Sequence, residues 1–370
     1  MKIAIDGRGA LLYRGTGIGT YTWRLLSALC KSDNVRILLP GEELKGFTFA
    51  DDSILDYNHN SHEIWENEFL PRTLAAENID IFHVPQNGLG LPLKKQCTQT
   101  VTIHDMIPYV FPETVGKGYL KEFLGKMPKV MAESDGIITV SQTSKKDIMD
   151  IFDYPQDKIV VIAEAAEPIY KPMAKDMAKK YLQENYNITE DYFIYVGGYG
   201  MRKNVKTLIL AYYLLRKDED IKWQLVLPGK RSSDFDRLDV LVEALGLKDH
   251  VVFPGFIPVK DMPYFYGGAE IMVYPSIYEG FGLPPLEAMA MGIPVISSNR
   301  SSLPEVLGDA PVYFDAFDTV KLAELMLELY EDEGKRKALS LKSLERAKLF
   351  SWQKTVKETK QFWEHTFYDI

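Results

Sequence analysis

Cysteine is almost absent from this chain. Only Cys30 and Cys97 occur, in unrelated contexts, which excludes a disulfide scaffold or a thiolate metal cage and points to a reducing compartment. Long apolar runs are absent too: none approaches the ~18 residues that a membrane-spanning helix needs. The first residues, MKIAIDGRG, open directly on a strand pattern, so no signal peptide is expected and the cytoplasm is the expected location. There is no surplus of positive charge. Lys and Arg number 43 against 52 Asp and Glu, a net charge of −9, which disfavours wholesale nucleic-acid binding. What remains is an ordinary globular composition, 46% hydrophobic and 26% charged, over 370 residues, a length that suits two domains better than one core.

Strand and helix patterns alternate from end to end, which predicts parallel α/β sheets. In the first half, apolar runs at residues 1–6, 35–39, 79–84, 98–103, 136–140 and 159–162 read as strands. Helices are expected at about 20–30, 63–76 (interrupted near Pro71), 117–133 with a kink at Pro128, and from the N-cap Ser141 toward 151; residues 51–61 read as loop. A join at 163–172 divides the chain into residues 1–168 and 169–350. The second half repeats the alternation, with strands at 193–196, 224–227, 251–253, 271–274, 294–297 and 312–314. Each half carries a glycine-rich turn after its first strand: Gly7, Gly9, Gly15, Gly17 and Gly19, then Gly197, Gly198 and Gly200. Ligands of such sheets bind beyond the strands' carboxyl ends, so two facing halves would form a cleft with a site on each wall. After the N-cap Ser351, residues 351–370 carry an apolar stripe, Trp352, Val356, Thr359, Trp363 and Phe367, at helical spacing.

The most informative stretch is 273–306, VYPSIYEGFGLPPLEAMAMGIPVISSNRSSLPEV. It reads strand, glycine loop, helix, strand. Pro284 and Pro285 suit a first helical turn, and Gly292 ends the helix. Exposed N–H groups and the positive end of a helix dipole then stand where an anion binds well. Glu279 in the loop and Glu287, expected in the first turn, bracket that point. Arg202 and Lys203 follow the second glycine turn and precede a helix, where two cations oppose the dipole unless an anion visits. His104 and Asp105 end a strand at a carboxyl edge.

The ordered set Pro275, Ser276, Glu279, Gly280, Phe281, Gly282, Leu283, Pro284, Leu286, Glu287, Ala288, Gly292, Ile293, Pro294, Val295, Pro304, Glu305 and Val306 resembles the E-x7-E signature of the retaining GT-B glycosyltransferases of family 4. The likeness runs from Gly17 to the Ser351-Trp352 tail. It implies two Rossmann-like α/β domains facing across a cleft, with the last helix crossing back to the N-terminal domain. It also implies transfer of a hexose such as mannose or glucose from a UDP- or GDP-sugar to a glycan, a lipid-linked or a small-molecule acceptor. Cell-envelope polysaccharide synthesis is the expected setting, with no cofactor, no obligatory metal and no nucleic acid. By the same resemblance Lys203 contacts the donor diphosphate, and Arg202 substitutes for a basic residue that many relatives carry where this chain has Gly198. Glu279 faces the donor sugar near the anomeric carbon, Glu287 accepts from the ribose hydroxyls, and the backbone of Gly280, Phe281, Gly282 and Leu283 holds sugar and phosphate. His104 contacts the sugar, and Gly17 and Gly19 open the first helix toward the diphosphate. Residues 254–257 would border the base, and the loops 87–91 and 111–118 would meet the acceptor.

Three other readings stay open on sequence alone. Asp234-Phe235-Asp236 could be the D-x-D of a metal-dependent GT-A transferase; the fold could serve an epimerase or phosphorylase; or the chain could bind a nucleotide sugar without turnover. A metal site at His59 and His62 is disfavoured by their spacing. Lys117, Lys121, Lys126 and Lys129, interleaved with Tyr119 and Phe123, raise peripheral contact with the inner face of a membrane as an expectation.

Overall fold

The computed structural model describes residues 1–13, 15–30, 32–40, 54–57, 64–231 and 233–368. The chain divides into two units, Met1–Glu164 with Ser351–Ile370, and Ala165–Phe350. The break falls at 164/165 and not at 168/169. Glu164 is held by His104 of the first unit, whereas Tyr170 already sets its ring edge against Tyr266 of the second, 5.4 Å away.

Strands buried on both faces belong in parallel sheets covered by helices. β1 (Ile3–Asp6) is such a strand, with every residue buried. It pairs in parallel with β2 (Val35–Pro40) and β4 (Ile81–Val84). With β3 (Ile54–Tyr57), β5 (Thr98–Ile103), β6 (Gly136–Thr139) and β7 (Ile159–Val161) it forms a seven-stranded sheet, ordered β3-β2-β1-β4-β5-β6-β7. The second unit holds β8 (Tyr192–Ile194), β9 (Gln224–Val226), β10 (Val251–Val252), β11 (Ile271–Tyr274), β12 (Val295–Ser298) and β13 (Val312–Phe314), a six-stranded sheet ordered β10-β9-β8-β11-β12-β13. Strand order reverses between β1 and β4 in one sheet and between β8 and β11 in the other. Those reversals are where α/β sheets hold ligands.

Several local expectations are corrected. The first long helix spans Gly17–Leu29, starting earlier than residue 20, because Thr16 caps it by accepting from the Gly19 N–H at 3.2 Å. Within the expected loop, Ile54–Tyr57 is a strand paired with β2; residues 51–53 and 58–61, and with them His59 and His62, lie outside the described residues. The helix expected from residue 63 is a π turn, Trp65–Phe69, running into Leu70–Ala76 with Pro71 in its first turn. The helix Lys117–Glu133 does contain Pro128. Its aromatic side faces inward, however: Phe123 is fully buried, Lys126 pairs with Glu66 at 2.8 Å, and Lys129 donates to the Pro92 carbonyl at 3.1 Å. Lys117 and Lys121 are exposed.

The tail helix, Trp352–Tyr368, packs on the first unit. The Ser351 hydroxyl caps it by accepting from Lys354 N–H at 3.2 Å. The ring of Trp352 lies 6.1 Å from Tyr21 and that of Trp363 5.1 Å from His83, and Thr355 donates to Ala163 O at 2.7 Å. Thr359 and Trp363 are fully buried, so truncating Trp363 to alanine costs about 3–5 kcal/mol. Among the described residues no helix is long and apolar enough to cross a membrane.

Candidate active site

In the second sheet β8 and β11 run in register, Ile194 opposite Met272, so the loops leaving their carboxyl ends start as neighbours. Tyr195 and Tyr274 stack there, with ring centroids 5.9 Å apart and 20° between planes. Gly197 has φ +155°, and a Cβ on it would lie 2.5 Å from the Tyr195 hydroxyl oxygen; only glycine fits this turn. A single 3₁₀ turn, Met201–Lys203, follows, and Asn204 ends it in the left-handed region at φ 56°, which asparagine tolerates. The Asn204 amide donates to the carbonyls of Pro275 (3.1 Å) and Ala316 (2.7 Å), and Ile277 N–H donates to Arg202 O at 2.8 Å. These bonds lay the cationic turn along the second loop.

Glu279 is the hub of that arrangement. Lys203 Nζ lies 2.7 Å from its Oε1, and Arg202 donates to its Oε2 at 3.0 Å and to the Tyr278 carbonyl. The hydroxyls of Ser276 and Tyr274 donate to Oε1 at 2.5 and 3.0 Å. Glu279 N–H donates to Ser301 Oγ at 2.8 Å, and Ser302 Oγ lies 2.9 Å from the carbonyl oxygens of both Glu279 and Phe281. Burial alone would raise the pKa of this carboxyl, but Lys203 and then Arg202 outweigh it and hold it at about 2. The trio therefore carries two positive charges and one negative at any physiological pH. From the sequence the cations were expected on the diphosphate; here both already rest on the carboxylate.

Gly280, Phe281 and Gly282 carry the loop into the helix Leu283–Ala290. Gly282 adopts φ +112°, and a Cβ there would lie 2.8 Å from Leu303 Cδ2. The Phe281 ring is buried and meets Phe350 edge-on at 6.0 Å. Because the helix begins at Leu283, Glu287 stands in its second turn, not the first, and compensation of the helix dipole does not account for it. Tyr266 OH donates to Glu287 Oε2 at 2.8 Å. Desolvation, opposed by that bond and reinforced by the charge of Glu167, pushes the Glu287 carboxyl up to about 7. The two signature glutamates thus have well-separated acidities, set wholly by surroundings.

His104, Gly17 and Gly19 belong to the first unit and form a separate group. The glycines lie in the first turn of the Gly17–Leu29 helix, which sets Tyr21 edge-on to the His104 ring at 4.8 Å. Every polar group of His104 is engaged. Nε2 lies 2.9 Å from Pro85 O and Nδ1 2.9 Å from Glu164 Oε1; its N–H donates to Asn87 Oδ1 at 2.8 Å, and its carbonyl accepts from Ser144 at 3.1 Å. As the chain stands, neither ring nitrogen is open to a sugar. The loop 87–91, expected to meet an acceptor, is buried: Asn87 is 2% exposed and Leu91 5%. It passes over the buried Asp6–Arg8 pair so closely that a Cβ on Gly90 would lie 2.3 Å from Arg8 Nη2. Two cavities of about 630 and 540 Å³ border the tail helix, and neither is lined by the Glu279 group.

Comparison with known proteins gives the family and the fold. The family model described as glycosyl transferases group 1 matches residues 178–346, and that of glycosyltransferase family 4 matches residues 15–166. O-antigen chain mannosyltransferase B of Escherichia coli is 34% identical over 97% of this chain and 98% of its own. The chain belongs to the GT-B glycosyltransferases. Among solved structures, sucrose-phosphate synthase of Thermosynechococcus elongatus superposes with a TM-score of 0.79 at 20% identity over 100% of both chains. HepE of Anabaena, in complex with UDP and glucose, gives 0.75 at 15% identity over 98% and 99%. These likenesses carry the two-domain α/β fold.

Several residues of this candidate site escape a reading of the sequence. Tyr274 and Ser276 lie inside the signature stretch but read as strand end and loop; nothing local says that their hydroxyls meet on Glu279. Asn204 had one available signal, an asparagine between a turn and a helix, where a left-handed residue is common. Glu164 had none, since its partner His104 is 60 residues away.

Proposed function

We propose that this glycosyltransferase takes a hexose, mannose before glucose, from a GDP- or UDP-linked donor bound on the second unit. It passes the sugar to a growing glycan with retention of anomeric configuration, in cell-envelope polysaccharide synthesis and without an obligatory metal. Mannose is favoured because the relative matched over nearly its whole length is named a mannosyltransferase; a UDP donor is kept because HepE was solved with UDP and glucose. The observation that carries the reading is the bonding of Glu279 to both Arg202 and Lys203 where strand order reverses.

As the bond to the diphosphate breaks, negative charge grows on the leaving group and positive charge on the anomeric carbon; stabilising such charge is usually the largest catalytic contribution. Lys203 and Arg202 serve the first and ionised Glu279 the second. Because these three are already assembled, little reorganisation is needed when the donor arrives. The N–H groups from Gly280 to Leu283 face phosphate or sugar oxygens, Glu287 takes the ribose hydroxyls, and the exposed Gly17 opens the start of its helix to a phosphate, with Gly19, whose N–H Thr16 holds, packed behind it. We place the protein in the cytoplasm, with peripheral contact at the inner face of a membrane.

The test is a thermal-shift screen of GDP-mannose, UDP-glucose and their nucleotides with EDTA present, followed by transfer assays. A ligand of the native state raises Tm. Glu279→Ala is expected to abolish transfer while donor Kd stays within about threefold, and Lys203→Ala to weaken donor binding about tenfold as well as turnover, the scale of a lost charge-assisted hydrogen bond. Wild-type kinetics in either variant removes that residue from the site, and no shift with any nucleotide sugar rejects the function.

A further inference from the structure

The reversal point of the first sheet carries a second group of polar and aromatic side chains. Tyr13 follows β1, Asn87 follows β4, Asp105 follows β5, and Tyr119 comes from the helix Lys117–Glu133. Asn87, left-handed at φ 53°, spans two of these elements. Its Oδ1 accepts from His104 N–H at 2.8 Å, and its Nδ2 donates to the Tyr119 hydroxyl at 3.0 Å. A phenol oxygen that accepts this bond keeps its own proton for another acceptor. Among the described residues it has no other partner, and Tyr13 OH has none. Burial first, then the charge of Asp105, raises the Tyr119 pKa, so its hydroxyl is a donor at any physiological pH and not a base. The Tyr13 ring stands edge to face with that of Tyr119, centroids 6.4 Å apart at 80°. Both tyrosines and Asp105 are partly exposed.

The surrounding charge narrows what can sit there. Asp105 and Glu122 act on Tyr119; Glu122 and Asp6 act on Tyr13, where the opposing cation, Arg8, is already bound by Asp6 at 2.7 Å. Carboxylates dominate this field, and they repel a phosphate or a uronate. A neutral sugar ring suffers no such penalty. It presents an apolar C–H face to an aromatic ring and hydroxyl oxygens to phenol donors.

We infer that Tyr13 and Tyr119, oriented by Asn87, form the subsite that binds the terminal pyranose of a neutral glycan acceptor. This rests on the transferase reading above and adds the acceptor's chemical class and the residues that hold it.

The test titrates methyl α-mannopyranoside against a fixed saturating donor, whichever of GDP-mannose or UDP-glucose shifts Tm. Tyr119→Phe, which keeps the ring and loses the donor, raises the acceptor KM about fivefold, the scale of one neutral hydrogen bond. Tyr13→Ala raises it about tenfold, the scale of a lost aromatic contact. In both, the donor KM and the donor-induced Tm shift match wild type, which also shows that the variants fold. Saturation-transfer signals from the mannoside ring protons fall in Tyr13→Ala, and a methyl glucuronoside gives neither signal nor transfer. Normal donor use with an acceptor KM within twofold of wild type in both variants overturns this inference alone. Failure of the wild-type chain to bind any nucleotide sugar overturns the transferase reading, and this one with it.

Discussion

Lys203 Nζ and Glu279 Oε1 lie 2.7 Å apart, although 76 residues separate them. With Arg202 on the other carboxylate oxygen, the pair forms a nearly closed ionic group. Removing one member of such a buried group leaves an uncompensated charge and costs about 3–5 kcal/mol. The catalytic assignment and the stability of the second unit are therefore tied to the same three side chains.

The acidity of Glu279 makes that tie measurable. Its folded pKa of about 2 lies below the ordinary carboxyl value of 4.5. The stability it contributes is present above about pH 4.5 and is lost as pH falls toward 2. The lowering corresponds to about 3 kcal/mol. Urea unfolding of wild type and Glu279→Gln at pH 7, 4 and 3 is expected to show wild type the more stable at pH 7, with the gap closing on acidification. A gap that stays constant down to pH 3 would mean that the carboxylate is not held as described.

Glu287 has the opposite sign. Its folded pKa, about 7, is raised above 4.5, so its favourable contribution is complete below pH 4.5 and is lost as pH rises through 7. Glu287→Gln is expected to match wild type at pH 4 and to exceed it at pH 8 by at most about 3 kcal/mol. An ionised carboxylate accepts from ribose hydroxyls more strongly than a protonated one, so donor binding is expected to tighten by up to about tenfold from pH 6 to pH 8 in wild type and to stay flat in the variant. Calorimetry at the two pH values decides this, and a flat wild-type profile rejects the ribose role.

His104 and Glu164 give a third prediction. A carbonyl can only accept, so Nε2 carries a proton for Pro85 O, and the 2.9 Å contact of Nδ1 with the Glu164 carboxylate requires a second one. Burial would lower the pKa of His104, but Glu164 reverses this and raises it above the usual histidine value. The stability from this pair is full below about pH 6.5 and fades as pH rises through the folded pKa. Glu164→Gln preserves the shape and removes the charge. It is expected to cost about 1–3 kcal/mol at pH 6, with a smaller loss at pH 9. Nitrogen-15 shifts of the His104 ring, with both nitrogens protonated at pH 6 in wild type and one in the variant, check the assignment directly.

The sequence by itself determined the succession of strands, Ile54–Tyr57 excepted, the two glycine turns, the caps at Ser141 and Ser351, and the buried stripe of the tail. Each depends on periodicity, a required φ or a side chain bonding its own backbone, all of which act within a few residues. The signature stretch also singled out Glu279 and Glu287 as candidate site residues. Only the tertiary structure decided which partners they have. The order of strands sets β8 beside β11 and so brings Arg202 and Lys203 onto Glu279, while Tyr266 bonds to Glu287 and the charge of Glu167 acts on it. Charge, burial and hydrogen bonding act through space, and distances between segments far apart in the chain exist only once the sheet has formed.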